Sequence, residues 1–189
     1  MAESIALAGD GDHGTTVLRV VDNMEAVVHQ ETSRNICTLL RDVGWSVMGV
    51  DGGASSALLG TFFSGMADAA IGLTSLDCHA FAAALGAGLR AIGTVSQAQV
   101  GDKTMLDALV PAVRAFRAAA TLGENVSRAL QDSAIAAQAG ADTTREMIAR
   151  IGRAKFLGDK TLGSPDAGAV SISLLFRGFY EALSNEGKG

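Results

Sequence analysis

The chain has 189 residues, which is enough for one domain of ordinary size or two small ones. Hydrophobic residues make up 48% of it and charged residues 19%, a balance that suits a globular core and excludes a disordered chain or a fibre. The net charge of −5 excludes a protein built mainly to bind nucleic acid, because the phosphate backbone demands a concentrated positive surface. No polybasic stretch is present for an anionic membrane.

The cysteines and the start of the chain predict its compartment. Cys37 and Cys78 lie far apart without metal-ligand spacing, which favours two reduced, buried thiols over one disulfide. The first residues lack a basic segment, and Gly9 and Asp10 break their apolar run, so they do not resemble a signal peptide. No uncharged apolar window reaches the roughly 18 residues needed to span a bilayer. We therefore expect a soluble cytoplasmic protein.

Apolar residues recur three and four positions apart along most of the chain, which is the spacing of one helix face. In chain order the pattern predicts helices over residues 16–30, over a segment capped by Ser33 with Ile36 to Val47 inside, over 59–69, over 78–92 with Ser75 as cap, from about Thr104 to Phe116, over 125–150, and over 169–183. Pro111 falls inside the fifth helix and should kink it or fix its first turns.

Strand signals are nearly absent from the sequence. Residues 169–176 alternate briefly, but they lead into a stretch better explained as a buried helix. Because alanine and glycine dominate the apolar residues, the helices are expected to pack by close approach of small side chains. No repeat or linker marks a boundary, so we predict an all-α bundle in a single domain, residues 1–189, with function in its polar, glycine-rich loops.

The clearest chemical signal is Gly-Asp-Gly-Asp-His-Gly at residues 9–14, immediately before the first helix. Asp10 and Asp12, one glycine apart, can converge on a hard cation such as Mg²⁺ or Ca²⁺, which prefers oxygen ligands. The alternative is an ordinary turn with a helix cap, but two Asp, one His and three Gly exceed what capping needs. The pattern favours a metal site.

A second loop, Asp-Gly-Gly-Ala-Ser-Ser at residues 51–56, opens the third helix. Free backbone N–H groups and the positive end of the helix dipole make such a turn a natural seat for phosphate. Many ordinary helices also begin with Gly and Ser, so this loop by itself leaves both interpretations open. It is not a Walker A loop, because no Gly-Lys-Ser/Thr follows.

Two later loops are polar as well. Residues 101–105, Gly-Asp-Lys-Thr-Met, taken alone favour a capped helix start with Lys103 in solvent. Residues 152–168 form a long connection without periodicity of its own. Connections of that length are usually functional or disordered, and the mixed composition of this one argues against disorder. In it, Arg153 offers a planar fork for a phosphate, and Asp166 with the following amides can hold the polar edge of a nucleotide.

In this order the loops resemble the nucleotide-binding L subunit (DhaL), or Dak2-type domain, of dihydroxyacetone kinases. The matching runs are residues 9–14, GGAS at 52–55 with LGTFF at 59–63, GDKTM at 101–105 with Asp107 and Val110-Pro111, and residues 152–169. Each run is modest alone, whereas four in register over nearly the whole chain are very specific. GGAS and the Asp-His-Gly run point to the dihydroxyacetone branch and away from fatty-acid kinases.

The resemblance implies a closed barrel of about seven to eight antiparallel amphipathic helices, with Mg²⁺ and a nucleotide held in the loops at one end. It also implies phosphoryl transfer to a small ketose bound on a separate K subunit, within a homo- or hetero-oligomer. In the phosphotransferase-coupled form, ADP stays bound and is recharged by a phospho-histidine carrier protein, whereas fused single-chain members use free ATP. A chain with only this domain favours the multi-subunit arrangement, although a K subunit could also pair with it in an enzyme that uses ATP.

The resemblance also implies roles for residues, position by position. Asp10 and Asp12 match Mg²⁺ ligands, and together with Arg153 they form the expected catalytic set. The nucleotide contacts implied are the turn His13, Gly14, Thr15 and Thr16, the phosphate-facing Ala54, Ser55 and Arg153, and the pocket residues Ser96, Met105, Asp166, Ala167 and Gly168. Phosphoryl transfer needs mainly positioning and neutralisation of charge, so no covalent intermediate on this chain is expected.

Several positions depart from the family pattern. Ile5 stands where the family has a third Asp ligand, Thr16 where it has Asn, and Ala167 where it has Pro; the family's first helix is also expected before the start of this chain. Losing one carboxylate of three should weaken a metal site, because hard-cation affinity follows ligand charge and number. The hypothesis is that Glu3 or water replaces the missing oxygen.

The sequence therefore leaves three functions open. The leading one is a kinase subunit that is active only with its K subunit. The second is a non-catalytic nucleotide-binding or regulatory module with an impaired metal site, and the third is a helical scaffold whose loops are merely caps. The acceptor, dihydroxyacetone or a four-carbon ketose, stays open because the sugar is held on the partner.

Overall fold

A computed structural model of the chain describes residues 13–31 and 35–186. All regular structure in these residues is helical, with no strand among them. The helices are α1 (His13–Gln30), α2 (Ile36–Met48), α3 (Ala54–Ala69), α4 (Cys78–Val95), α5 (Leu106–Thr121), α6 (Val126–Thr143) and α7 (Ala167–Glu186), with 3₁₀ turns at Thr144–Glu146 and Arg153–Thr161. The predicted all-α class is confirmed, and residues 169–176 lie inside a helix.

The described helices fall into two compact units. Residues 13–97, with α1 to α4, form the N-terminal unit, and residues 98–186, with α5 to α7, form the C-terminal unit. Within each unit, helices that follow one another in the chain pack together. The single domain over residues 1–189 stays a prediction.

Glycine allows the helices of the N-terminal unit to approach closely. A Cβ atom on Gly44 of α2 would lie 2.9 Å from the carbonyl oxygen of Gly60 on α3, and one on Gly88 of α4 would lie 2.7 Å from the carbonyl oxygen of Phe62. Neither site has room for a side chain, because real Cβ contacts are longer. The expected packing through small residues is confirmed, with Phe62 and Phe63 filling the remaining core.

The C-terminal unit has one comparable contact, at the proline of α5. Pro111 has no N–H group to donate to the carbonyl of Asp107, four residues earlier. Gly140 of α6 packs its backbone directly onto that carbonyl, and a Cβ atom on Gly140 would overlap it. The helix continues through Pro111 to Thr121, so the proline lies within its early turns without ending it.

Two of the predicted helix caps are wrong. Asn35, not Ser33, caps α2 by accepting a hydrogen bond from the Thr38 amide at 3.1 Å; Ser33 itself lies outside the described residues. Asp77, not Ser75, caps α4 by accepting from the Ala80 amide at 2.7 Å. Both caps are Asn or Asp side chains, which reach the free amides of a first turn well.

The sixth predicted helix is also too long. Asn125, the first residue of the predicted helix, caps α6, but the helix stops at Thr143 and not at Arg150. The reason is that the carbonyl and hydroxyl of Thr144 bond to groups outside the helix, to the Lys103 ammonium and the Asp166 amide. Tertiary hydrogen bonds thus override the helical pattern of the sequence.

Two observations bear on the predicted compartment. Cys37 and Cys78 are free and buried. Among the described helices, α4 has the length and apolar composition of a membrane span, which is weak evidence because core helices of other proteins pass the same test. Because Arg90 lies within α4, this helix is not an uncharged apolar window of the kind that the sequence analysis found to be absent. The cytoplasmic location stays a prediction.

Candidate functional site

The N-terminal unit brings two of the predicted segments together, the first turn of α1 and the loop before α3. A Cβ atom on Gly52 would lie 2.6 Å from Cγ2 of Thr16 and would also overlap the hydroxyl of Ser56. Gly52 is therefore the small residue that lets the loop lie against α1. Gly14 and Thr15 belong to the same first turn of α1, where Thr15 is exposed.

The start of α3 is left open by its own side chains. Gly53 occupies the N-cap position with φ +64° and makes no side-chain cap, whereas Asn35, Asp77 and Asn125 cap α2, α4 and α6. The first amides of a helix need partners that the helix itself cannot supply. An anion is a suitable partner, because the helix dipole adds positive potential at that end. Ala54 is exposed and Ser55 half-buried there.

The last predicted residue of the N-terminal unit is Ser96. It ends α4, where its amide donates to the carbonyl of Ile92 at 3.0 Å, and its side chain is half-buried. Its contact with a nucleotide stays a prediction.

The C-terminal unit brings together another group of predicted residues, Met105, Asp166, Ala167 and Gly168. A Cβ atom on Gly168 would lie 3.1 Å from Oδ2 of Asp166 and 3.2 Å from Cβ of Met105. Met105 and Ala167 are buried, at 5% and 9% exposure. The start of α5 and the start of α7 therefore meet, with an acidic side chain between them.

Asp166 closes the first turn of α7. Its Oδ2 atom accepts a hydrogen bond from the Ala169 amide at 2.7 Å, and its own amide donates to Oγ1 of Thr144 at 2.7 Å. Burial raises the pKa of Asp166 to about 6, and the nearby Asp107 carboxylate also raises it, against the lowering effect of the Ala169 hydrogen bond. The carboxyl group can therefore change its charge just below neutral pH.

Lys103 is the site residue that the sequence analysis placed wrongly. It is buried at 5% exposure, not in solvent, and its Nζ atom donates to the carbonyl oxygens of Thr144 at 2.6 Å, Thr161 at 2.7 Å and Ser164 at 2.7 Å. Burial lowers the pKa of Lys103, while the Asp166 carboxylate raises it. The sequence signal that pointed to a special role for this lysine was the GDKTM run, one of the runs that match the family pattern.

Asp107 shapes the turn that presents this lysine. Its side chain is 2% exposed and accepts from the amides of Gly101 at 2.6 Å and Thr104 at 2.7 Å. Lys103 has φ +61°, the one positive value among described residues other than glycine. A lysine rarely adopts this conformation, so the surrounding hydrogen bonds must hold it there.

Arg153 begins the 3₁₀ segment that follows Gly152, and its side chain is exposed. Within the predicted connection, residues 153–161 form 3₁₀ turns with a kink at Gly158, so it has regular structure that the sequence analysis did not predict. A short 3₁₀ run has no long apolar stripe that a sequence pattern could reveal.

The proposed metal ligands Asp10 and Asp12 lie outside the described residues, as do Glu3, Ile5 and the side chain of His13. Within residues 13–31 and 35–186 no three His, Cys, Asp or Glu side chains cluster as metal ligands would. Two carboxylates still have the oxygen chemistry that suits Mg²⁺, so a site at the start of the chain stays a prediction.

Comparison with known proteins defines the class of this helical protein. Residues 7–181 match the family described as the DAK2 domain. Because the match covers most of the 189 residues, the chain belongs to the DAK2 domain family. The predicted resemblance is confirmed.

Several individual relatives carry the comparison further. The chain is 32% identical over 173 residues to the ADP-binding subunit DhaL of the PEP-dependent dihydroxyacetone kinase of Escherichia coli, covering 89% of this chain and 80% of that subunit. It is 33% identical over 181 residues to triokinase/FMN cyclase of Bos taurus, covering 95% of this chain but only 31% of that protein. The chain therefore spans under a third of some curated relatives.

A solved structure agrees with the helical fold. The dihydroxyacetone kinase of C. freundii, crystallised in complex with AMP-PNP and Mg²⁺, superposes with a TM-score of 0.69 at 27% identity, over 96% of this chain and 30% of that one. Its native form gives a TM-score of 0.72 at 28% identity.

Proposed function

We propose that this chain is the ADP-binding subunit of a dihydroxyacetone-type kinase and passes a phosphoryl group to a small ketose held on a K subunit. The observation that carries the proposal is the match to the E. coli subunit, which extends over 80% of that subunit's length. The uncapped start of α3, at the GGAS run, independently supports an anion site in this chain.

The phosphate end of the nucleotide is proposed to use three groups of this chain. The open amides at Ala54 and Ser55 would donate hydrogen bonds to phosphate oxygens, and the exposed guanidinium of Arg153 would offer a bidentate fork. Asp10 and Asp12 would hold Mg²⁺, which neutralises phosphate charge when bound. Positioning and charge neutralisation are what phosphoryl transfer requires of a protein.

The nucleoside end is proposed to use Ser96, Met105 and the turn at Asp166 to Gly168, with the turn at His13 to Thr16 completing the contacts. Met105 supplies a buried apolar surface beside Gly168, whose lack of a side chain leaves room for close approach. Asp166 keeps a carboxylate near that surface, which can accept a hydrogen bond from a hydroxyl or amino group when ionised.

The phosphoryl donor and the partners also belong to the proposal. The E. coli and Listeria innocua relatives are named as PEP-dependent, which favours a bound ADP recharged by a phospho-histidine carrier protein in the cytoplasm. The C. freundii kinase binds AMP-PNP, which keeps free ATP as the alternative donor. The assembly would be a homo- or hetero-oligomer with the K subunit.

Reconstitution tests this proposal. Purified chain, loaded with Mg²⁺ and ADP, is mixed with a K subunit, dihydroxyacetone and either ATP or the PEP-driven phospho-histidine relay, and ketose phosphate is measured. Transfer that requires this chain is the expected result. Tight ADP binding without transfer from either donor would replace the kinase subunit by the non-catalytic module.

One residue supports the alternative function, a non-catalytic nucleotide-binding module. Ile5 occupies the position where the resemblance implies a third Asp ligand. If Glu3 supplies the missing oxygen, Glu3→Ala should shift the Mg²⁺ titration of ADP binding to higher concentration. An unchanged titration removes Glu3 from the proposed site.

A further inference from the structure

The C-terminal unit contains a buried cation that the proposed chemistry does not use. The ammonium group of Lys103 donates to three backbone carbonyls, on Thr144, Thr161 and Ser164, at 2.6, 2.7 and 2.7 Å. An ammonium group has three N–H donors, and all three are used here. The lysine thus ties together segments that lie 41, 58 and 61 residues further along the chain.

The lysine is held in place from its own side as well. The Asp107 carboxylate fixes the amides of Gly101 and Thr104 on either side of Lys103, and the lysine backbone stays in the left-handed region at φ +61°. Strained backbone of this kind persists only where the surroundings determine it. The conformation directs the side chain inward, away from the solvent that a lysine normally prefers.

A short chain of hydrogen bonds leads from Lys103 to the start of α7. Thr144, whose carbonyl accepts from Lys103, also accepts the Asp166 amide on its Oγ1 atom at 2.7 Å. Asp166 in turn caps the Ala169 amide at 2.7 Å. On the other side of the lysine, Ser164 lies two residues before Asp166.

We propose that Lys103 is a positioning residue, whose ammonium group fixes the turn at Asp166 to Gly168 in the geometry that receives the nucleotide. This inference rests on the proposed function, because the proposed function assigns the turn at Asp166 to Gly168 to nucleotide binding. The lysine touches no substrate itself; it acts through Thr144 and through the segment that ends at Ser164. Its loss should therefore weaken nucleotide binding even where the chain remains folded.

The experiment compares Lys103→Met with Lys160→Met in the full chain. Lys160 is exposed in the same 3₁₀ segment, so its substitution removes the same charge without touching the carbonyl cluster. At a temperature where circular dichroism shows each variant folded, titration calorimetry should give a Kd for ADP with Mg²⁺ about tenfold higher for Lys103→Met and nearly unchanged for Lys160→Met. Equal Kd values for Lys103→Met and wild type overturn the inference.

Two further measurements separate positioning from general stability. Lys103→Ala leaves space for the missing propylammonium group, so added n-propylammonium chloride should restore ADP affinity while tetramethylammonium chloride, matched in ionic strength, should not. Thr144→Val keeps the carbonyl for Lys103 but removes the acceptor of the Asp166 amide. The Thr144→Val variant tests the same chain of hydrogen bonds even if the lysine variants fail to fold. It should speed hydrogen exchange of the Asp166 amide about tenfold in the absence of nucleotide, and it should raise the Kd for ADP.

The outcomes distinguish the two proposals. If the wild-type chain does not bind ADP with Mg²⁺, the proposed function fails. If wild type binds ADP and Thr144→Val binds it equally well with unchanged exchange at Asp166, the proposed function stands and the role of Lys103 is overturned.

Discussion

The two units of the chain position their loops by different physical means. In the N-terminal unit, glycine makes the arrangement possible: Gly44 and Gly88 let helices touch, and Gly52 lets the loop before α3 lie against α1. In the C-terminal unit, buried charged groups do the same work, with Lys103 and Asp107 bonded to backbone atoms of the loops. The N-terminal unit depends on the absence of side chains, whereas the C-terminal unit, apart from the glycine contact at Gly140, depends on side chains whose hydrogen bonds are all satisfied.

Because of this difference, the two units should be destabilised by different kinds of substitution. Close packing fails when volume is added, because interiors have no spare space. Removing a buried charged group destabilises the fold, because its hydrogen-bond partners are left buried and unpaired. Substitutions of matched size can therefore separate the two mechanisms.

The largest effect is expected at the buried cation. Lys103→Met should lower the free energy of unfolding by about 3–5 kcal/mol, because two buried carbonyls and one half-buried carbonyl lose their charged donor. Lys160→Met, on the surface, should change it by less than about 0.5 kcal/mol. Urea denaturation followed by circular dichroism measures both. A Lys103→Met protein as stable as wild type would mean that the cluster is not what holds the loops of the C-terminal unit.

The close backbone contacts should respond almost as strongly. Gly88→Ala and Gly140→Ala should each cost about 1–3 kcal/mol, because the added Cβ atom meets backbone that must move. Gly93→Ala and Gly178→Ala, on the same or a comparable helix but with no atom within 4 Å, should instead stabilise by about 0.5–1 kcal/mol. Thermal unfolding of the four variants is the measurement. Opposite signs within each pair are expected, and equal signs would contradict the close-packing account.

Asp166 should make stability depend on pH. Its pKa of about 6 in the folded chain exceeds the ordinary 3.8, so the folded protein binds this proton more tightly than the unfolded chain. The contribution is full below pH 3.8 and is lost as pH rises through about 6. Asp166→Asn should therefore be on the order of 2 kcal/mol more stable than wild type at pH 8 and similar to it near pH 4. Urea midpoints at the two pH values test this, and a wild type that is more stable than Asp166→Asn at pH 8 would contradict it.

A smaller and local effect is expected at the open helix start. Gly52→Ala should raise the Kd for ADP by about tenfold, because a methyl group there displaces Thr16 and Ser56 beside the proposed phosphate seat. The matched control is Gly86→Ala on α4, where the added Cβ atom would lie 3.5 Å from Nη1 of Arg90, an ordinary contact, and which should leave the Kd unchanged. Equal affinity for Gly52→Ala and wild type would separate this loop from nucleotide binding.

The sequence predicted the helices better than the groups that connect them. Helical spacing is local, so α1 to α7 follow from the apolar pattern. Their ends are predicted less well, because Asn35 and Asp77 cap in place of nearby serines and the tertiary hydrogen bonds of Thr144 end α6 early. The burial of Lys103 could not be read from spacing, because its three acceptors lie 41 to 61 residues away. The meeting of Met105 with Gly168 is equally non-local and was reached through the family resemblance alone.

The proposed function requires that this chain bind ADP together with Mg²⁺ through the acidic run before α1. The most direct measurement is calorimetric titration of ADP, with Mg²⁺ and with EDTA, into wild type and Asp12→Ala. We expect tight binding by wild type only when Mg²⁺ is present, and loss of that binding in Asp12→Ala. Binding by wild type that is equally tight in EDTA, or unchanged in Asp12→Ala, would contradict the claim.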